Sequence, residues 1–314
     1  MLLHVDTDFG GDPDDACALA MLLGWPDVEI TGITTNLETA GQRAGCVEHY
    51  LDLAARPDIP VAAGAESTLT AGQQFTSTWG DDRYWPDPVT PSPWSSERAL
   101  DLLALSVGRG ATILAIGALT NLALLELARP RALRDADIVA MAGWLSPPED
   151  GMPDWGPEFD FNVQCDTKAA DIVIGAANIT FVPVPVAMHA QLRRRDLDRL
   201  RRSGPIGALL ARQSETSASD NNMEAHGREY PGLADDLVNF HWDPVTAAVA
   251  TGWSGASIED VKLETQLDGD TLVLHEVPDG RSHRAVTGID AHAFTDVWLT
   301  AVETADRRAV TRRW

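Results

Sequence analysis

Short apolar runs alternate along this chain with longer stretches whose apolar residues recur at helical spacing. The runs that predict strands are residues 2–5, 28–34, 59–62, 111–116, 137–142 and 179–184. The stretches that predict helices are residues 13–23, 40–55, 119–128 and 165–175. Such alternation is typical of βαβ units. We therefore predict an α/β fold, with a mainly parallel central sheet and helices on both faces, as in a Rossmann-like core.

Two polar stretches interrupt this pattern, at residues 65–95 and 213–240. Long irregular segments in an α/β chain are often lids or binding loops, although a surface excursion without a role is an equal alternative. After position 253 the pattern predicts strands at 261–267, 271–277 and 284–287 and a helix at 291–305. Without a repeat or a clear linker, we predict one domain over residues 1–314.

Composition narrows the class of partner. The 314 residues are 44% hydrophobic and carry a formal net charge of -23. That charge disfavours nucleic acids and anionic membranes as partners and is compatible with a small neutral substrate or a divalent cation. An acidic solvated surface explains it equally well. The absence of a long apolar run, of a basic leader before the first strand and of a disulfide pattern among three cysteines predicts a cytoplasmic protein without a membrane span.

Acidic residues are concentrated between the first predicted strand and the first predicted helix: Asp6, Asp8, Asp12, Asp14 and Asp15. Like charges held between two core elements repel one another, and a bound cation relieves that repulsion. Carboxylate oxygens are hard ligands that suit Ca²⁺ or Mg²⁺. Strand ends of a parallel sheet share one edge, where ligands bind. The sequence therefore predicts a cation site at that edge.

A helix start is the plain alternative for part of this cluster. Asp12 followed by Pro13 reads as an N-cap and first helical residue, and Asp14 and Asp15 then lie where the helix dipole favours anions. Two further candidate site residues could likewise be only helix starts. Thr120, in the segment GALTN at 117–121, and Asp243, in HWDP at 241–244, each stand where a helix begins.

Together these segments resemble the nucleoside hydrolase family, the inosine-uridine-preferring N-ribohydrolases. The resemblance runs from Leu2 to about Ala305, and its motifs are Asp6-Thr7-Asp8 with Asp14-Asp15-Ala16, Gly117 to Asn121, Asp160-Phe161-Asn162 with Asp166, and Asp243-Pro244. The family fold is the α/β fold predicted above. The resemblance implies a homodimer or homotetramer that acts on a small-molecule nucleoside.

The resemblance also implies roles at the sugar. Ca²⁺ would be held by Asp8, Asp15, Asp243 and the main-chain carbonyl of Thr120, and Asp14 would be the general base acting on a calcium-bound water. The N-glycosidic bond of a ribonucleoside would be hydrolysed to free base and ribose. The residues implied to contact the ribose are Asn36, Met141, Asp160 and Asn162, with Glu158 as the alternative to Asp160.

The leaving-group side departs from the family pattern. Many members have a His immediately before the late Asp, where it protonates the base; here that position is Trp242, and His241 is displaced by one residue. We predict catalytic roles for His241 and Trp242. The loop after the third strand offers Trp79 and Trp85, which we predict to stack on a purine, unless they are partly buried anchors of the loop.

Two other functions fit parts of the sequence. A homologue that binds nucleoside or Ca²⁺ without turnover would explain the altered His and the shorter Asp160. A haloacid-dehalogenase-like phosphatase would explain Asp6 and Asp8 after a first strand. The phosphatase requires a Lys that this chain does not offer early, since its first lysine is Lys168.

Overall fold

The computed structural model describes residues 1–71, 78–93 and 95–312, and an α/β architecture fills them. The strands are β1 Leu2–Thr7, β2 Glu29–Thr35, β3 Val61–Ala63, β4 Thr112–Ile116, β5 Asp137–Met141, β6 Asn178–Val182, β7 Gln191–Arg193, β8 Leu237–Phe240, β9 Ala256–Asp268, β10 Thr271–Glu276 and β11 Arg281–Ile289. The helices are α1 Asp14–Gly24, α2 Gln42–Leu53, α3 Ser96–Gly108, α4 Thr120–Ala128, α5 Phe161–Gln164, α6 Thr167–Ala176, α7 Val184–Ala187, α8 Leu197–Ser203, α9 Pro205–Asp220, α10 Met223–Glu229, α11 Trp242–Ala250 and α12 Ala291–Arg312. Short 3-10 helices lie at Pro157–Phe159 and Arg194–Asp196.

One nine-stranded sheet organises the molecule, in the order β10-β9-β11-β6-β5-β4-β1-β2-β3. The pairs from β11 to β3 are parallel, and only β9 runs antiparallel to its neighbours β10 and β11 within this sheet. Strands β7 and β8 form a separate antiparallel pair. The predicted mainly parallel sheet is therefore confirmed.

Alternate residues of the central strands enter two different cores. On β4, Leu114 and Ile116 join the cluster that contains α1, α11 and α12, whereas Ile113 and Ala115 join the one that contains α4 and α6. This is the two-residue period of a strand buried on both faces. Helices thus cover both faces of the sheet, as predicted. Among the described residues, no helix combines the length and the apolar character needed to cross a membrane.

The polar stretch predicted to be irregular at 213–240 contains regular structure. It holds the end of α9, all of α10 and β8. The prediction was wrong because α9 buries polar side chains, including Gln213, Ser214 and Ser217, so its inner face carries a weak apolar signal. Helix α3 was also missed, although Ser95 caps it by accepting from the Arg98 N–H at 3.4 Å. In the other stretch, the described residues of 65–93 form no helix or strand, and 72–77 and 94 lie outside them.

Candidate active site

A cavity of about 390 Å³ opens at the carboxyl edge of the sheet, next to the ends of β1, β4 and β5. Its described lining residues are Asp8, Gly11, Asp12, Asp14, Asp15, Arg43, Ile116, Met141, Trp155, Phe159, Asp160, Phe161, Asn162, Val184, Trp242 and Asp243. The structure thus brings together eight of the residues that the sequence singled out: Asp8, Asp14, Asp15, Met141, Asp160, Asn162, Trp242 and Asp243.

Three buried carboxylates converge in this cavity. Asp14, Asp15 and Asp243 each offer an oxygen, and these atoms lie within 4.8 Å of one another. Asp14 and Asp15 open α1 and Asp243 lies in the first turn of α11, so two helix N-termini meet at the cluster. Burial, reinforced by the neighbouring carboxylates, raises the pKa of all three groups well above the usual range. Such a group of hard oxygens fits a divalent cation.

Asp8 and Asp12 extend the acidic end of the cavity. Burial raises the pKa of Asp8, the nearby Arg43 guanidinium opposes this effect, and the resulting pKa is about 6. The Asp12 carboxylate accepts from the Asp14 N–H at 3.0 Å. Asp12 was predicted to be the N-cap of α1, but Pro13 occupies that position. Asp12 thus caps the helix from the residue before the N-cap. The Thr7 hydroxyl donates to Asp15 Oδ1 and fixes the orientation of that carboxylate.

Asp6 and Asn36 lie behind this cluster. The Asp6 carboxylate is fully buried and accepts from Thr34 Oγ1 at 2.5 Å, Asn121 Nδ2 at 2.7 Å and Asn36 Nδ2 at 3.1 Å. Burial raises its pKa to about 6. Asn36 Oδ1 is buried and has no hydrogen-bond partner in the described structure. Asn36 is not among the lining residues, so its predicted contact with ribose stays a prediction.

Thr120 also lies outside the described lining of the cavity. It is fully buried at the start of α4, and its hydroxyl donates to Asp166 Oδ2 at 2.8 Å. Asp166 in turn accepts from the N–H groups of Leu69 and Thr70 at 2.7 and 2.9 Å. Asp166, the last residue of the motif that begins at Asp160, therefore holds the loop after β3 against α4.

Asp160 and Asn162 form one wall of the cavity. Asp160 accepts from the Gly143 N–H at 2.6 Å and from the Val163 N–H at 3.3 Å, and burial raises its pKa to about 7. Asn162 donates to the Met141 carbonyl at 3.0 Å. Glu158 is exposed and lies outside the described lining. Of the two carboxylates that the sequence left open, Asp160 is the one at the cavity.

Four aromatic residues among those described also line the cavity, and of these the sequence predicted a role only for Trp242; the four are Trp155, Phe159, Phe161 and Trp242. Trp242 packs on Phe240 with ring centroids 4.5 Å apart. Trp155 stacks on Phe159 at 5.0 Å and on His226 at 5.4 Å. For the aromatic residues that were missed, the position of Phe159 and Phe161 beside Asp160 was the available sequence signal.

His241, Trp79 and Trp85 are not among the lining residues that the structure describes. His241 is 1% exposed and its ring lies 4.3 Å from that of Trp298, so burial lowers its pKa to about 3 and keeps it neutral. Its predicted catalytic role stays a prediction, because His241 lies behind the described lining of the cavity. Trp85 packs on Phe9 in the core, and Trp79 packs against the same core. Both fit the alternative of a loop anchor rather than a base contact.

Comparisons with known proteins place the chain among nucleoside hydrolases. The family model "Inosine-uridine preferring nucleoside hydrolase" matches residues 3–296. The pyrimidine-specific ribonucleoside hydrolases RihA of Salmonella schwarzengrund (strain CVM19633) and Salmonella agona (strain SL483) are each 31% identical over 259 residues, which is 79% of this chain and 79% of each relative.

Solved structures share the fold over nearly the whole chain. A plant nucleoside hydrolase, PpNRh1, gives a TM-score of 0.79 at 22% identity and covers 96% of this chain and 98% of its own. A purine-preferring ribonucleoside hydrolase from Gardnerella vaginalis gives 0.79 at 21% identity, covering 98% and 100%. The resemblance seen in the sequence is confirmed: the chain belongs to the inosine-uridine preferring nucleoside hydrolase family and is an N-glycosyl hydrolase of ribonucleosides.

Proposed function

We propose that this enzyme uses Ca²⁺ to hydrolyse the N-glycosidic bond of ribonucleosides to free base and ribose, with a preference for purines. The observation that carries the proposal is the convergence of three buried carboxylates, Asp14, Asp15 and Asp243, in a cavity that aromatic rings also line. A ribonucleoside likewise combines a polar diol with a flat aromatic base.

The acidic end suits the cation and the sugar. Asp8, Asp15 and Asp243 would hold the ion, together with the main-chain carbonyl of Thr120. When bound, the ion supplies positive charge that makes a nearby water more acidic and orients the ribose diol. Asn162 and Asp160, which line the same cavity, would hold the remaining sugar hydroxyls.

Asp14 is the proposed general base. It takes a proton from water as the water oxygen forms a bond to C1′, and the C1′–N bond breaks with its electron pair leaving on the base. The sugar passes through an oxocarbenium-like state, which nearby carboxylates stabilise. The departing base takes up a proton from solvent, and Asp14 releases the proton it accepted to solvent, so that one water is added across the broken bond.

The aromatic residues of the cavity lining form the proposed nucleobase site. Trp242 lines the cavity directly, and stacking favours the larger ring system of a purine. The relatives do not decide the preference, because the RihA relatives are named pyrimidine-specific whereas the Gardnerella protein is named purine-preferring. The predicted homodimer or homotetramer and the predicted cytoplasmic location stay predictions.

Release of ribose from inosine, adenosine, guanosine, uridine and cytidine tests this proposal, with a chelator and after Ca²⁺ is restored. We expect the highest kcat/KM for purines, loss of turnover with the chelator and recovery with Ca²⁺. Turnover that survives chelation would reject the calcium requirement, and faster pyrimidine cleavage would reject the purine preference. Nucleoside binding without ribose release would favour the non-catalytic alternative.

A further inference from the structure

Arg43 is a buried arginine at the acidic end of the cavity, and no motif in the sequence pointed to it. It lies in the first turn of α2, is 2% exposed and lines the cavity. Its Nη1 donates to the main-chain carbonyls of Asp8 and Phe9, the latter at 3.1 Å, and its Nε donates to the Leu37 carbonyl at 2.9 Å. One guanidinium therefore joins the loop after β1 to the loop after β2.

These two loops carry predicted site residues but little regular structure. Asp8 lies in the first loop, and Asn36 directly precedes Leu37 in the second. Leu37 and Ala40 have φ values of 49° and 50°, in the left-handed region that non-glycine residues rarely adopt. Such backbone persists only where tertiary contacts hold it. The Arg43 hydrogen bonds are contacts of that kind.

The chemistry of arginine suits this task. A planar guanidinium presents five donors in a fixed fork, so a single side chain can hold several carbonyl oxygens at set angles. A lysine has the same charge, but its compact ammonium on a flexible stem lacks that fork. The charge and the geometry of Arg43 can therefore be separated by one substitution.

We propose that Arg43 is a positioning residue of the cation site, which fixes the loop of Asp8 and thereby sets the affinity for Ca²⁺. This inference rests on the proposed function. It assigns Arg43 no contact with the ion and no proton transfer. Because outer contacts of this kind are worth about 10- to 100-fold in metal affinity, their loss should be measurable.

The test compares Arg43→Lys with Arg308→Lys in the full chain. Arg308 is a matched control, because its Nη1 also donates to two main-chain carbonyls, those of Leu23 at 2.9 Å and Trp25 at 3.1 Å, at the opposite end of α1. Calorimetric titration with Ca²⁺ alone gives the dissociation constants. We expect Arg43→Lys to weaken binding about 10-fold or more. Arg308→Lys should stay near the wild-type value.

A kinetic readout separates positioning from general damage. If Arg43 acts through the cation, raising Ca²⁺ should restore the kcat of Arg43→Lys. If this variant is too unstable for calorimetry, the Ca²⁺ concentration that raises its unfolding temperature gives the affinity instead. Wild-type affinity in Arg43→Lys, or an equal loss in Arg308→Lys, would overturn the inference alone. A wild-type protein that binds no Ca²⁺ would overturn the proposed function with it.

Discussion

Removing the cation should destabilise the folded protein measurably. Three buried carboxylates, Asp14, Asp15 and Asp243, line one cavity with the partly buried Asp8, and only the native state holds the four together. A ligand that binds only the native state at about 100 times its dissociation constant adds about 2.7 kcal/mol of stability. For a chain of 314 residues, each kcal/mol shifts the Tm by about 2 °C. We therefore expect Ca²⁺ to raise the Tm by roughly 5 °C over the value in chelator.

The pH dependence of this shift has a definite sign. In chelator, burial raises the pKa of Asp8 to about 6, and those of the other three carboxylates well above their usual range. In the unfolded chain these groups titrate near a pKa of about 3.9. The native state therefore binds more protons above that pH, and its stability falls as pH rises from about 4 through 6. Because cation binding requires ionised carboxylates, the shift caused by Ca²⁺ should grow over the same range.

Thermal unfolding at pH 5, 6.5 and 8, with chelator or Ca²⁺, measures both effects. Asp243→Asn is the informative variant, since it removes one ligand charge and keeps the shape of the side chain. We expect it to abolish most of the Ca²⁺ shift and to raise the Tm in chelator, where one buried charge fewer repels its neighbours. A Ca²⁺ shift of wild-type size in Asp243→Asn would refute the placement of the ion among these carboxylates.

Four substitutions test the remaining assignments. Asp14→Asn should lower kcat by about 10²-fold or more, with nucleoside binding retained by calorimetry. Trp242→Ala should lower kcat/KM for inosine by about 5- to 150-fold, as expected for a lost stacking contact, and an unchanged rate would exclude Trp242 from the base site. Trp85→Ala should destabilise the protein by about 3–5 kcal/mol in denaturant unfolding without changing kcat in the folded enzyme. His241→Phe should keep the wild-type pH–rate profile, whereas loss of a basic or acidic limb would return His241 to catalysis.

The central sheet was predictable because its signal is local. A short apolar run that is buried on both faces is typical of a central strand. The bounds predicted from such runs for β1, β2, β4, β5 and β6 agree with the structure to within three residues at each end. Helix α9 was not predictable in this way. Its inner face carries Gln213, Ser214 and Ser217, whose burial depends on partners distant in sequence.

The acidic end of the site was predictable because its residues are close together in the sequence. The choice between His241 and Trp242 was not, because it depends on which way each side chain points. Asp8 lies in the short loop after β1, and Asp14 and Asp15 open the helix that follows, so the fold must place all three at the sheet edge. His241 is the N-cap residue before α11 and Trp242 is the first helical residue, so their backbone conformations differ and their side chains point in different directions. Trp242 therefore faces the cavity while His241 enters the core against Trp298. A motif matched to within one residue does not settle which of the two reaches the substrate.

Asp160 serves the backbone as well as the cavity. The resemblance implied a contact with the ribose, and in the structure Asp160 also caps α5 by accepting from the Val163 N–H at 3.3 Å. A second bond, from the Gly143 N–H, fastens it to the end of β5. Each carboxylate oxygen has about two acceptor sites, so both main-chain bonds leave room for a sugar hydroxyl. The bonds that hold α5 thus also fix the Asp160 oxygens at the cavity wall, where the proposed contact with the ribose would need them.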